Sequence, residues 1–319
     1  MESKKISVIV PCYNEQEVLP MFREKILNVT DEMSKKNSGL EFEFLFINDG
    51  SKDGTLEILR EFSRDDSRFR YVSFSRNFGK EAAMLAGLEN CRGDYAVIMD
   101  ADLQHPPAKI PEMYEYVSSG EYDCAATRRV SRKGEPRLLS FFSGSFYKVM
   151  NSISKIHIVD GAQDFRFMTR QMVDAILSMK EYNRFSKGIF SWVGFRTRYI
   201  EVENTERAAG KTTWNFWKLL GYSFEGIMAF STAPLYLAVI MGIIFLILAI
   251  AMAVKTLICG EDMSGDNLLV TLVCLIGGVQ LFCMGVLGQY IAKTYLEVKG
   301  RPIYIIGETS GEPPRANDA

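Results

Sequence analysis

Two long stretches of this chain carry no charged side chain: Thr232 to Val254, TAPLYLAVIMGIIFLILAIAMAV, and Asn267 to Ala292, NLLVTLVCLIGGVQLFCMGVLGQYIA, where Gln280 and Gln289 are the only long polar groups. About 20 consecutive apolar residues cross the hydrocarbon core of a bilayer, and a soluble core rarely buries helices of that length and apolarity. Two transmembrane helices are expected. The connector KTLICGEDMSGD sets one lysine against Glu261, Asp262 and Asp266, whereas Lys211 and Lys218 lie before the first stretch and Lys293, Lys299 and Arg301 follow the second. Positive flanks stay in the cytoplasm, so both ends of the chain are expected there, on a plasma membrane. Gly277, Gly278, Gly285 and Gly288 allow close helix approach and point to a homo-oligomer.

The charges sit mostly before position 215, which divides the chain into a water-facing part over 1–213, an interfacial amphipathic segment over 214–230, the two spans over 231–293, and a cytoplasmic tail over 294–319. A formal net charge of -2 argues against a nucleic-acid binder, which needs a basic footprint. Cys12, Cys91, Cys124, Cys259, Cys274 and Cys283 show no close pairing of the kind that holds zinc, and read as buried thiols. The start MESKKISVIV runs directly into a strand-like segment, with no secretory signal visible.

The water-facing part alternates element types. ISVIV reads as a buried strand closed by Pro11, EQEVLPMFREKILNVTDEMSKK as a helix, FEFLFIN as a strand, and TLEILREFSRD as a helix. FRYVSFS, GKEAAMLAGLEN and DYAVIMD continue the series as strand, helix and strand. Such alternation predicts an α/β fold with a mostly parallel sheet covered on both faces. Ligands of these sheets sit beyond the carboxyl ends of the strands, where the chain places PCYNE, NDGS, RNFGK and DADLQ. PCYNE alone reads equally as a strand stop and helix cap, and NDGS as a plain turn. DADLQ is different. Asp100 and Asp102 end an apolar strand, where two carboxylates repel and lose hydration unless a cation stands beside them. Hard oxygen donors and a bound diphosphate suit Mg2+ or Mn2+.

In order along the chain, VIVPCYNEQE, FINDGSKDGT, SRNFGKEAAMLAG, MDADLQHPP and GAQDFRFM resemble the family 2 glycosyltransferases of GT-A (Rossmann-like) fold. The resemblance is closer to the polyprenyl-phosphate glycosyltransferases, the group of dolichol-phosphate mannose synthase and the bacterial bactoprenol glucosyltransferases. It implies that Pro11, Tyr13, Glu15 and Asp49 hold the nucleotide base and ribose. Gly79 and Lys80 would lie beside the nucleotide, Asp100 near ribose and metal, and Asp102 with Gln104 on the metal. It further implies Asp164 as base or electrostatic positioner near the acceptor, and Arg207 with Lys211 on the donor diphosphate. NRFSKGIFSW stands where processive polysaccharide synthases carry a Gln-x-x-Arg-Trp motif, which implies one sugar per turnover.

The acceptor half begins with TRRVSRKGEPR, a basic run leading into LLSFFSGSFYKVMNSISK, whose Leu138, Leu139, Phe142, Phe146, Val149 and Met150 share a helix face. A basic loop feeding an amphipathic aromatic helix suits a membrane surface and a lipid phosphate, and the family likeness singles out Arg128 and Arg137. Trp214 and Trp217 fit an aromatic anchor at the bilayer surface. The implied reaction is inverting transfer of one sugar from a nucleotide sugar to polyprenyl (undecaprenyl) phosphate. UDP-glucose is the first donor, then UDP-N-acetylglucosamine, then GDP-mannose or a modified arabinose. Transfer to a neutral lipid such as a diacylglycerol, or nucleotide-sugar binding without catalysis for a membrane assembly, are the competing readings.

Overall fold

The computed structural model describes residues 3–130, 150–154, 156–202, 226–259 and 266–311, together with Lys148 and Gly221. Arg137, Arg207, Lys211, Trp214, Trp217 and most of the expected amphipathic helix lie outside the described residues.

The expected alternation is present: β1 (Lys4–Cys12), α1 (Leu19–Lys36), β2 (Leu40–Asn48), α2 (Thr55–Asp65), β3 (Phe69–Phe74), α3 (Lys80–Asn90) and β4 (Tyr95–Ile98). Pro20 lies in the first turn of α1, where its missing N–H costs nothing. Next come α4 (Ile110–Ser118), β5 (Cys124–Arg129), β6 (Ala162–Thr169), α5 (Arg170–Ser178), α6 (Ser186–Trp192) and β7 (Thr197–Val202). After α7 (Ala233–Cys259) and α8 (Asp266–Val298), a last strand, β8 (Ile306–Thr309), returns to the sheet.

The sheet has eight strands in the order β7-β5-β6-β4-β1-β2-β3-β8. The four central strands β3, β2, β1 and β4 are parallel, β6 is antiparallel to both β4 and β5, and β8 is antiparallel to β3. Alternation along each strand builds two cores. Val8, Phe44, Phe46, Phe69, Phe165 and Phe167 face α1, α2 and α4, whereas Ile9, Leu45, Ile47, Val72 and Met168 face α3, α5 and α6. Phe44 stacks on Phe69 with centroids 4.6 Å apart. Each fully buried Phe, Ile or Leu contributes roughly 1.5–3 kcal/mol, so the apolar strands anchor the polar loops at their ends.

Of the two expected spans, one is met among the described residues: Leu275–Val298 within α8 is long and apolar enough to cross a membrane. The described apolar part of α7 is shorter, Ala233–Phe245. Leu237, Ile240, Ile247, Leu281 and Met284 are about half exposed or more, as side chains facing lipid would be. Among the described residues Cys12, Cys91 and Cys124 are the expected buried free thiols, whereas Cys283, on α8, is only partly buried.

Candidate active site

Parallel pairing of Cys12 with Asn48 and of Ile9 with Ile98 brings the ends of β1, β2 and β4 to one rim of the sheet. The PCYNE and NDGSKDGT loops interlock there. The Asn14 N–H donates to Ser51 Oγ at 2.9 Å and its Oδ1 accepts from the Lys52 N–H at 2.9 Å, with Asn14 itself at φ 57. The Glu15 N–H donates to Thr55 Oγ1, and the Gly54 N–H to Gln16 Oε1. Together these bonds make one polar wall from which Tyr13 projects 40% exposed, an aromatic face free to stack on a base. The expected strand end at Pro11 is not met: β1 runs through Pro11, paired with Ile47, to Cys12, and Glu15 is half-buried beyond it.

Asp49 binds the wall to a third loop. Buried at 4% exposure, it accepts from the Phe78 N–H at 2.6 Å and the Gly79 N–H at 2.9 Å. Burial pushes its carboxyl up, and the two backbone bonds oppose that. Asp49 therefore organises the segment that delivers Gly79 and Lys80.

At the end of β4 the DADLQ carboxylates differ in surroundings. Asp100 is partly exposed, whereas Asp102 is buried and its Oδ1 accepts from the Gln104 N–H at 3.1 Å. Leu103, between Asp102 and Gln104, sits at φ 59, a left-handed conformation costly for a leucine by roughly 1–2 kcal/mol. The buried His105 closes the loop, stacked on Phe165 with its Nδ1 accepting from the Asp100 N–H at 3.2 Å. An accepting Nδ1 is unprotonated, and burial pushes the imidazole pKa down, so His105 is a neutral brace for this loop.

Lys80, in the first turn of α3, reaches across the rim. Its Nζ donates to Asp100 at 2.8 Å and to Asp164 Oδ2 at 2.7 Å. Burial would lower the ammonium, but the two carboxylates outweigh it and hold the group well above its ordinary value. Burial would likewise raise the Asp164 carboxyl, but Lys80, with Lys187, holds it well below the usual carboxylate range. In this arrangement Asp164 is an ion-pair partner of Lys80.

Asp164 stands inside β6, which runs directly into α5; the cap of that helix is Thr169, whose side chain accepts from the Met172 N–H. Antiparallel β6 carries Asp164 to the same rim as the end of β4. The sequence reading did not single out Lys187, nor the burial of Arg166 on the same face of β6, its guanidinium 4.4 Å over Phe190. Alternation of Asp164 and Arg166 was the available signal. Arg128 is exposed near the end of β5, on the far side of β6 from β4.

Asp100, Asp102 and the Gln104 amide offer the hard oxygen donors that Mg2+ or Mn2+ requires, and Asp100 already holds a cationic partner in Lys80. Among the described residues no cluster of three or more His, Cys, Asp or Glu that could hold a metal ion forms.

The chain is 40% identical over 97% of its length to "Putative glycosyltransferase CsbB" of Bacillus subtilis (strain 168), of which it covers 93%. It is 40% identical over 95% of its length to "Prophage bactoprenol glucosyl transferase homolog" of Escherichia coli (strain K12), of which it covers 98%. Among solved structures, glucosyl-3-phosphoglycerate synthase from Mycobacterium tuberculosis aligns at TM-score 0.44 and 19% identity, over 70% of this chain and 78% of that one. The pattern of glycosyl transferase family 2 matches residues 7–177, which include every strand-end loop described above. With that match and relatives aligned from end to end, the chain belongs to glycosyl transferase family 2 and is a glycosyltransferase.

Proposed function

We propose that this protein transfers a single glucose from UDP-glucose to the phosphate of undecaprenyl phosphate, with inversion, at the cytoplasmic face of the cell membrane. The observation that carries this reading is the end-to-end match with proteins named bactoprenol glucosyl transferase. The site is consistent with it. Tyr13 offers a stacking face, the Asp49-bound loop presents Gly79 and Lys80 to a donor, and Asp100, Asp102 and Gln104 would hold a divalent ion. Such an ion, when bound, neutralises charge developing on the leaving diphosphate. The chain's own part is positioning: a phosphate monoester is largely ionised near neutrality, its second pKa being about 6, so its oxygen attacks without a strong base. Arg207 and Lys211 would meet the diphosphate, and Arg128 and Arg137 the lipid phosphate. α7 and α8 would span the bilayer with both termini inside, and the glycine face of α8, where an added Cβ meets no atom within 4 Å at Gly277, Gly278, Gly285 and Gly288, would pack against another copy.

The test is incubation of detergent-purified full chain with undecaprenyl phosphate, Mg2+ or Mn2+, and a panel of nucleotide sugars, with Asp102→Asn as control and product mass as readout. A lipid-phosphate-hexose formed from UDP-glucose and absent in the control supports the reading. A product from UDP-N-acetylglucosamine alone changes the donor, and nucleotide binding with no lipid product across the panel overturns the transferase assignment to this acceptor.

A further inference from the structure

Three elements converge on one ammonium. Asp100 leaves β4, Asp164 lies on the neighbouring antiparallel strand β6, and Lys80 comes from α3. The Lys80 Nζ lies 2.8 and 2.9 Å from the two oxygens of Asp100 and 2.7 Å from Oδ2 of Asp164. Two carboxylates gathered this closely repel one another unless a cation stands between them, and here the chain provides that cation itself.

We propose that Lys80 is an internal counter-ion which a divalent cation must displace from Asp100, and that the donor diphosphate makes the exchange favourable by accepting the ammonium. The proposal rests on Asp100, Asp102 and Gln104 being the cation ligands. Both oxygens of Asp100 are engaged by Lys80, so a metal arriving alone competes with a charge-assisted contact in a partly desolvated site, where Asp100 is 27% and Asp164 17% exposed. A nucleoside diphosphate changes the balance, because its oxygens offer the lysine a second anionic partner. The Lys80 side chain is 41% exposed on a flexible four-carbon stem, so it has room to turn toward such a partner. Metal and nucleotide then strengthen each other's binding by the same factor in both directions, and Lys80 carries part of that coupling. The device keeps the carboxylates compensated in the free enzyme and reserves tight metal binding for the donor complex.

The experiment measures Mn2+ binding to detergent-purified full chain by the electron paramagnetic resonance signal of free Mn2+, without and with UDP. Wild type should bind Mn2+ weakly alone and about tenfold more tightly with saturating UDP, within the usual range of such couplings. Lys80→Met should bind Mn2+ alone about tenfold more tightly than wild type, with UDP adding little. Lys80→Gln should move in the same direction and serves if the methionine variant fails to fold, whereas Lys80→Arg should resemble wild type. Unchanged or weaker Mn2+ binding without UDP in a folded Lys80→Met or Lys80→Gln protein overturns the proposal. Asp102→Asn distinguishes the two levels of failure. If it binds Mn2+ with UDP as wild type does, the cation is not held at DADLQ and the underlying ligand assignment falls. If it loses binding while the Lys80 variants leave it unchanged, only the counter-ion role falls.

Discussion

Glu308 brackets Arg60 across the edge of the sheet: Arg60 Nε donates to Oε1 at 2.9 Å and Nη2 to Oε2 at 2.5 Å. The Tyr71 hydroxyl adds a bond to Oε1 at 2.6 Å. These contacts fasten β8, the strand that follows α8, to α2 and β3 of the sheet through side chains far apart in the chain.

This bracket gives a signed pH dependence. Hydrogen bonds from Arg60 and then Tyr71 hold the Glu308 carboxyl at about 2, down from 4.5. A carboxyl lowered by folding contributes stability that is complete above its unfolded value and is lost as pH falls through the folded one, here from about 4.5 to about 2. The melting temperature of wild type should therefore exceed that of Glu308→Gln at neutral pH and converge with it near pH 2. The difference should be small, because both side chains are more than a third exposed. Parallel melting curves across that window would remove the pair from the account.

Tyr304 should act on the loop that carries Gly79 and Lys80, although it follows α7 and α8 in sequence. Its ring stacks on Phe74 at 4.8 Å and its hydroxyl donates to Glu89 on α3, while Phe74 meets Phe78 edge-on at 5.7 Å and the Ser75 N–H donates to the Ile305 carbonyl. Tyr304→Ala is expected to cost about 2–4 kcal/mol of stability in chemical denaturation. It should also raise the donor KM several-fold with the acceptor KM unchanged, and Tyr304→Phe should restore most of both. Lost stability with an unmoved donor KM would confine Tyr304 to packing.

Gly50 admits no side chain. It sits at φ 63, and a Cβ there would lie 2.4 Å from the Arg76 carbonyl carbon and 2.6 Å from the Asn77 nitrogen. Left-handed backbone costs a residue with a Cβ about 1–2 kcal/mol before any backbone is pushed aside, so Gly50→Ala should lose more than about 2 kcal/mol. Since the displaced segment carries Phe78 and Gly79, calorimetry should show weaker UDP binding as well.

Asp49→Ala leaves the N–H groups of Phe78 and Gly79 without their acceptor, at a cost of about 1–3 kcal/mol. Weaker UDP binding is expected, with partial recovery in Asp49→Asn, which keeps one carbonyl oxygen. Full UDP affinity in the alanine variant would show that the loop holds its shape unaided.

What the sequence determined by itself was local. Hydrophobic period and turn chemistry placed β1 through β4 with their helices, and DADLQ stood out because two carboxylates closing a buried strand need a cation. The apolar run of α8 was readable for the same reason. β5, β6 and β7 were not, because the antiparallel pairing of β6 with β4 and β5 is a long-range choice that the residues near Asp164 do not encode. Nor was β8 readable in the tail: it forms at Ile306–Thr309, since Glu308, Thr309 and Ser310 find partners on Arg60 and Tyr71 while Tyr304 goes to stacking. Only the tertiary structure revealed that one lysine serves both Asp100 and Asp164, separated from it by 20 and 84 positions. Charge pairing depends on distance in space, and that distance exists only once the sheet has brought the two strand ends together.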